Sequence, residues 1–309
     1  MNTVISRNDF NGYKKWLDRL LKLENIADVE NNLESEISTA NRHDALLCHL
    51  RLCSAIPESV EYSSTQEKLF SKYTDALISK SFEYLGLSSK VIHKRIGTAD
   101  VEASSEHYSF VADAKVFRLS RTAKNQKDFK IPALDGWRLD NDYAMLICPI
   151  YQLPAKESQI YQQARKLNVC IFSFSHLSVL VQLAKTKGKK EAQKLLHQIF
   201  ILVESMQNIE SKEANSYWQA LNKIFFAYGG PIKKYWEIEE KANSESITIL
   251  KKMAKDYCSS FEDSLKRQSK SDLLELLYEL FNFPKRIRKI ETVEDNGLMK
   301  ITGSEDGAR

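Results

Sequence analysis

Between Phe110 and Phe117 the chain places a carboxylate and an ammonium two residues apart in an otherwise apolar run, Phe-Val-Ala-Asp113-Ala-Lys115-Val-Phe. On a strand, side chains two apart share a face, so Asp113 and Lys115 emerge together while their neighbours pack. Burying charge is unfavourable unless it is paired or binds a metal. An internal Asp–Lys ion pair satisfies that condition, and so does a catalytic site.

The preceding segment, Gly97-Thr-Ala-Asp100-Val-Glu102-Ala, adds a second acid at hairpin distance. A turn and a short strand fit between Asp100 and Asp113 and would set them side by side. Two carboxylates suit a hard divalent cation, Mg²⁺ for preference. A lysine beside them can orient or deprotonate a water, or steady developing negative charge. Asp…Asp-x-Lys is therefore a minimal phosphodiester-hydrolysing site.

From Lys115 onward a cation falls at every third position: Arg118, Arg121, Lys124, Lys127 and Lys130, with Asp128 the one acid among them. That spacing drifts around a helix and fits a loop or irregular arm. Ser120, Thr122, Asn125 and Gln126 between the cations can hydrogen-bond base edges or phosphate oxygens. A lysine-rich loop can be merely solvated. Next to a candidate metal site it reads as a nucleic-acid contact arm that neutralises phosphate.

Those groups must be held by a frame. The 309 residues are 43% hydrophobic, enough for one substantial core with appendages, and 10 glycines and 6 prolines favour a helix-rich fold. Net charge is only +4, so the positive charge is local, on the arm and at Lys285-Arg-Ile-Arg-Lys289. No apolar run reaches transmembrane length and residues 2–13 lack a signal-peptide core, so a soluble, cytoplasmic protein with no membrane partner is expected. Five scattered cysteines, Cys48, Cys53, Cys148, Cys170 and Cys258, form no C-x-x-C pair and no disulfide framework. His43, Cys48, His49 and Cys53 fit an amphipathic helix with buried thiols better than a metal site. His176 fits a helix start rather than a triad.

Periodicity predicts two helices over residues 9–55, a long amphipathic helix from Ser64 to Leu85, and strands at about 99–104 and 108–118. The apolar runs at 143–149 and 169–173 read as central strands joined by a crossover helix at 156–166. Residues 185–190 read as a hydrophilic linker, followed by helices at about 189–207, 213–227, 231–258 and 270–282 and a polar tail after 291. The expected division is an N-terminal helical segment (1–60), a core with its contact arm (61–184), a C-terminal helical region (185–290) and the tail (291–309).

The segments Ser63-Ser-Thr-Gln-Glu-Lys-Leu-Phe-Ser-Lys72, Val111-Ala-Asp-Ala-Lys115 and Phe117-Arg-Leu-Ser-Arg-Thr-Ala-Lys-Asn-Gln-Lys-Asp-Phe-Lys130 resemble the HindIII-like type II restriction endonucleases. The likeness continues through Trp137-Arg138, Asp142-Tyr-Ala, Lys156-Glu-Ser-Gln-Ile160, Phe172-Ser173 and His176-Leu177, and so covers about residues 60–183. It implies a PD-(D/E)xK nuclease core, an α/β fold with a mixed central sheet flanked by helices. It also implies Mg²⁺ dependence and a homodimer acting on double-stranded DNA at a palindrome, AAGCTT, cut after the first A to leave a 5′ overhang. A DNA methyltransferase of the same restriction-modification system is implied as a functional partner. By the same resemblance Asp100, Asp113 and the Ala114 carbonyl are metal ligands, Lys115 orients the water, and Ala123, Asn125 and Lys127 read bases. Ala99 stands where the general motif has proline, and the link between the two acids is shorter than the family's.

A second register, Asp113…Asp128-Phe-Lys130, also spells Asp…Asp-x-Lys. It falls in a polar stretch without strand alternation, so Asp128 and Lys130 are assigned to the loop or to phosphate contact. Glu67 has two readings, the N3 acid of a capping box with Ser64 or a helical acid contributing to the active site. Two rival functions use the same residues: a non-catalytic DNA-binding regulator, and a repair or junction nuclease that cuts by shape.

Overall fold

A computed structural model describes residues 3–38, 41–62, 64–92, 98–121, 126–267, 278 and 281–300. The N-terminal region folds as three helices, α1 (Arg7–Leu20), α2 (Asp28–Ser38) and α3 (Arg42–Leu52), rather than the expected two. A third helix appears because Val29, Leu33 and Ile37 recur at spacing four and are buried together. Helix α4 (Thr65–Tyr84) follows, capped by the Ser64 hydroxyl, which accepts the Glu67 N–H at 3.1 Å. Only that half of the expected capping box forms; the Ser64 N–H donates to the Glu61 carbonyl instead.

The sheet is mixed and five-stranded, in the spatial order β1 (Ser88–Val91), β2 (Val101–Ser104), β3 (Ser109–Ala114), β4 (Tyr143–Cys148), β5 (Val169–Ser173). The first three strands are an antiparallel meander, and β3, β4 and β5 run parallel. Strands β4 and β5 are buried at every residue, as their continuous apolar runs predict. Helix α5 (Ile131–Trp137) lies between β3 and β4, and α6 (Gln159–Lys166) crosses from β4 to β5. Strand β1 was not expected from the sequence. The strand expected at 108–118 ends at Ala114. The Lys115 N–H still donates to the Ile147 carbonyl, but the Phe117 N–H and C=O turn to the buried Gln152 amide at 2.9 Å each, which peels the chain off the sheet.

Helix α7 (Phe174–Lys187) is separated from α8 (Lys189–Ser205) by Gly188 alone, at φ +97. The expected linker at 185–190 is thus a one-residue break, made by a glycine free to take a positive φ. Helices α9 (Ala214–Tyr228), α10 (Ile232–Lys266) and α11 (Phe283–Glu291) complete the frame. The helix expected at 270–282 falls mostly outside the described residues. The tail is not wholly free: Leu298 and Met299 are buried, their carbonyls taken by Asn222 and Trp236. One hydrophobic core runs from Ile5 to Met299, and a smaller one joins α10, α11 and Leu119.

Candidate active site

Register sets the centre of the site. In the β2–β3 pair Val101 lies opposite Ala112, so one further step puts Asp100 opposite Asp113. Directly opposed residues of an antiparallel pair are the closest cross-strand neighbours on a face. The expected hairpin therefore forms, and it brings the two acids together. Helix α4 lies across β1, β2 and β3 and lowers Asp75 onto them. Oxygens of Asp75, Asp100 and Asp113 fall within 4.8 Å of one another, the only group of three metal-ligating side chains among the described residues.

Two ammonium groups stand against these three carboxylates. Lys115 lies 2.6 Å from the Asp113 carboxylate, as the strand spacing predicts. Lys72, one turn before Asp75 on α4, donates to Asp75 at 3.2 Å and to Asp100. Burial, with the charge on Asp100, pushes the Asp75 carboxyl up to about 8, against the pull of Lys72. Burial likewise raises Asp113, although Lys115 opposes it. Asp100 is also desolvated, yet its hydrogen bond to Lys72 wins and holds it below the usual range. For Lys115, burial favours the neutral amine but the Asp113 charge outweighs it and raises its pKa. It is thus an ammonium at neutral pH, fitted to donate to a water or a phosphate oxygen.

The donor set fits a hard cation. Asp75 Oδ1 is buried without a hydrogen-bond partner, and Asp113 Oδ2 has the Lys115 ammonium within reach but not in hydrogen-bond geometry. Three carboxylates against two ammonium groups leave one negative charge in excess, crowded enough to drive Asp75 toward protonation. A divalent cation would relieve that crowding with the oxygen ligands such ions prefer. Ala114, the last residue of β3, lines the cleft beside Lys115.

Sequence reasoning missed Asp75 and Lys72. The available signal was a carboxylate inside a stretch of α4 that is buried from Tyr73 to Ser79. Asp75 also follows Glu67 at spacing eight, hence on the same helical stripe. Glu67 is not in the acidic group. Its carboxylate accepts from Arg118 Nη1 at 2.6 Å, a latch completed by Arg118 bonds to the Val60 and Glu61 carbonyls. Asp128 sits in a short 3-10 turn at 126–129 and accepts from Arg121 at 2.7 Å, away from the triad. Lys127 and Lys130 are exposed, the latter with its ammonium 5.7 Å from the Trp137 ring centre. Ala123, Lys124 and Asn125 lie outside the described residues. Ser120 is fastened by its N–H and hydroxyl to the buried Glu58.

His49 and His176 take packing roles, and Cys53, Cys148, Cys170 and Cys258 are buried free thiols. His49 is buried against Tyr73, its Nδ1 2.7 Å from the phenol oxygen, and burial lowers it to about 3. His176, near the start of α7, is enclosed and bonded to Ser173 and Asn222.

Comparison with known proteins bears on the same residues. Over 178 residues the chain is 47% identical to the type II restriction enzyme HindIII of Haemophilus influenzae, a match spanning 55% of this chain and 59% of that enzyme. A model of the HindIII restriction endonuclease family matches residues 22–294, well beyond the 60–183 over which the likeness was read. The triad, both lysines, the arm and the whole of α11 fall inside that span, and the chain belongs to the HindIII restriction endonuclease family.

Proposed function

We propose that this protein is a type II restriction endonuclease, a Mg²⁺-dependent hydrolase of double-stranded DNA built on a PD-(D/E)xK nuclease core. The observation that carries this reading is the convergence of Asp75, Asp100 and Asp113 with Lys115 at the end of β3. Residues 61–184 form the core of the proposal, with the helices on either side as its frame. Family membership and the 47% identity support a palindromic site, AAGCTT, cut to leave 5′ overhangs by a homodimer whose two subunits each cut one strand. A methyltransferase protecting the same site would be the partner in the cell, acting without a stable complex, and the cytoplasm the compartment.

Asp75, Asp100 and Asp113, with the Ala114 carbonyl, would hold the Mg²⁺. When bound, the ion supplies Lewis-acid polarisation of the scissile phosphate and charge neutralisation at the pentacovalent stage. The protein's own groups do the rest. Lys115 donates a hydrogen bond that orients the attacking water in line with the departing 3′ oxygen and steadies negative charge on the phosphate. Asp113 keeps the Lys115 ammonium in fixed register, because β2, β3 and α4 are locked by the core. The arm from Arg118 to Lys130 would grip the backbone, with Ala123, Asn125 and Lys127 as the base-reading positions and Lys124 as a phosphate-neutralising cation.

Incubating the pure protein with a plasmid bearing a single AAGCTT, with Mg²⁺ and then with EDTA, and sequencing the ends tests this. One fixed cut that EDTA abolishes is expected. Binding without cutting would leave a DNA-binding regulator, and scattered ends would leave a shape-directed nuclease.

A further inference from the structure

A cleft of about 220 Å³ opens beside the acidic triad, between α4 and the chain leaving β3. Its polar lining is Glu67, Ser71, Thr74, Lys115, Arg118 and Arg121. Glu67, Ser71 and Asp75 stand at spacing four on α4, so they form one stripe from the cleft to the triad. Arg118 faces Glu67 at one end of this stripe, and Asp113 with Lys115 faces Asp75 at the other. Each four-residue step along the stripe advances by about 6 Å, a step comparable to that between successive phosphates of one DNA strand.

We propose that this cleft is a second phosphate subsite, which takes the phosphodiester adjoining the scissile one on the same strand, with Glu67 as the anion that fills Arg118 until DNA arrives. The inference rests on the nuclease reading above and specifies how that site grips its substrate.

Three cations and one carboxylate line the cleft, so it offers an arriving phosphate Lys115, Arg118 and Arg121, each now held by an acid. Asp113 and Asp128 hold Lys115 and Arg121 from outside the lining. The Arg118 guanidinium is set in place by two backbone carbonyls, Val60 and Glu61, which stay when the Glu67 carboxylate is displaced. A phosphate can therefore exchange for Glu67 without reorganising the arginine, through the Nη1 donors that the carbonyls leave open. The exposed Ser71 hydroxyl supplies a neutral donor from the α4 side. Glu67 is thus a competing anion for Arg118.

The test uses the full-length protein and a short AAGCTT duplex, bound in Ca²⁺, with a neutral methylphosphonate one linkage 5′ or 3′ of the scissile bond. For the wild type, one of the two placements should weaken binding about tenfold, as loss of one charge-assisted contact implies. In Arg118→Met the same placement should change affinity less than about twofold, since the contact is already gone. Glu67→Gln, which frees Arg118, should tighten the unmodified duplex about threefold and steepen the salt dependence of binding. A methylphosphonate penalty equal in wild type and Arg118→Met, or Glu67→Gln binding more weakly than wild type, would overturn the subsite. Glu67→Gln keeps the question answerable if Arg118→Met does not fold. Wild type that binds and cuts unmodified duplex while showing neither effect sinks the subsite alone; wild type that binds no duplex sinks both readings.

Discussion

Asp75 should weaken the fold that carries it. Its carboxyl is buried, lies against Asp100 and Asp113, and is raised from 3.8 to about 8. At neutral pH the unfolded chain has released this proton and the folded chain has retained it, so folding requires its recapture. The penalty is absent below pH 3.8, grows as pH rises, and is complete above about 8. At pH 7 it spans roughly three pKa units, or about 4 kcal/mol. Asp75→Asn removes the titration and keeps the shape. It gives up attraction to Lys72, which retains Asp100, so a net gain of about 2 to 4 kcal/mol is expected. For 309 residues, at about 2 cal/mol/K each, that is roughly 3 to 6 °C in Tm. The assay is thermal and urea unfolding of both proteins in EDTA from pH 4 to 8, repeated with Mg²⁺. The variant's advantage should shrink toward zero at pH 4, and Mg²⁺ should narrow or reverse the order by stabilising the wild type more than a variant left with Asp100 and Asp113. An Asp75→Asn protein less stable than wild type in EDTA at pH 7, or an advantage independent of pH, would refute the electrostatic argument.

Asp113→Ala is expected to retain specific DNA binding and to lose cleavage by at least about a thousandfold, read by gel shift in Ca²⁺ beside cleavage in Mg²⁺; cleavage at the wild-type rate would remove Asp113 from the reaction. Gln152→Leu should cost about 2 kcal/mol by stranding the Phe117 N–H. It should also raise KM more than it lowers kcat, because the arm loses its anchor; unchanged urea midpoint and KM would contradict this. Mg²⁺ should raise the wild-type Tm in proportion to the logarithm of its concentration above Kd, and the shift should vanish in an Asp100→Asn, Asp113→Asn double variant.

Much of the site was legible because it is local. Asp113 and Lys115 are two apart on one strand, and that spacing alone fixes their common face. Asp100 was placed by hairpin length. The fully buried strands β4 and β5 announced themselves as apolar runs, and Ser64 marked the start of α4. What escaped depends on long-range contacts. The end of β3 is set by Gln152, 35 residues from Phe117. Glu67 satisfies local capping chemistry on paper, yet its carboxylate goes to Arg118, 51 residues away. Asp75 carries no local signature beyond a charge among buried neighbours, since a helix alone does not reveal which sheet it will cover.

The sequence by itself determined the strand that bears Asp113 and Lys115, the acid that pairs with it across a turn, and the cationic arm that follows, because these rest on backbone periodicity and short loops. Only the tertiary structure decided that α4 would lay Asp75 and Lys72 over that hairpin and that Arg118 would bind Glu67. Those partners are chosen by the packing of elements distant in the chain, where burial strips water from the charges and leaves each to be satisfied by whichever group the fold brings within reach.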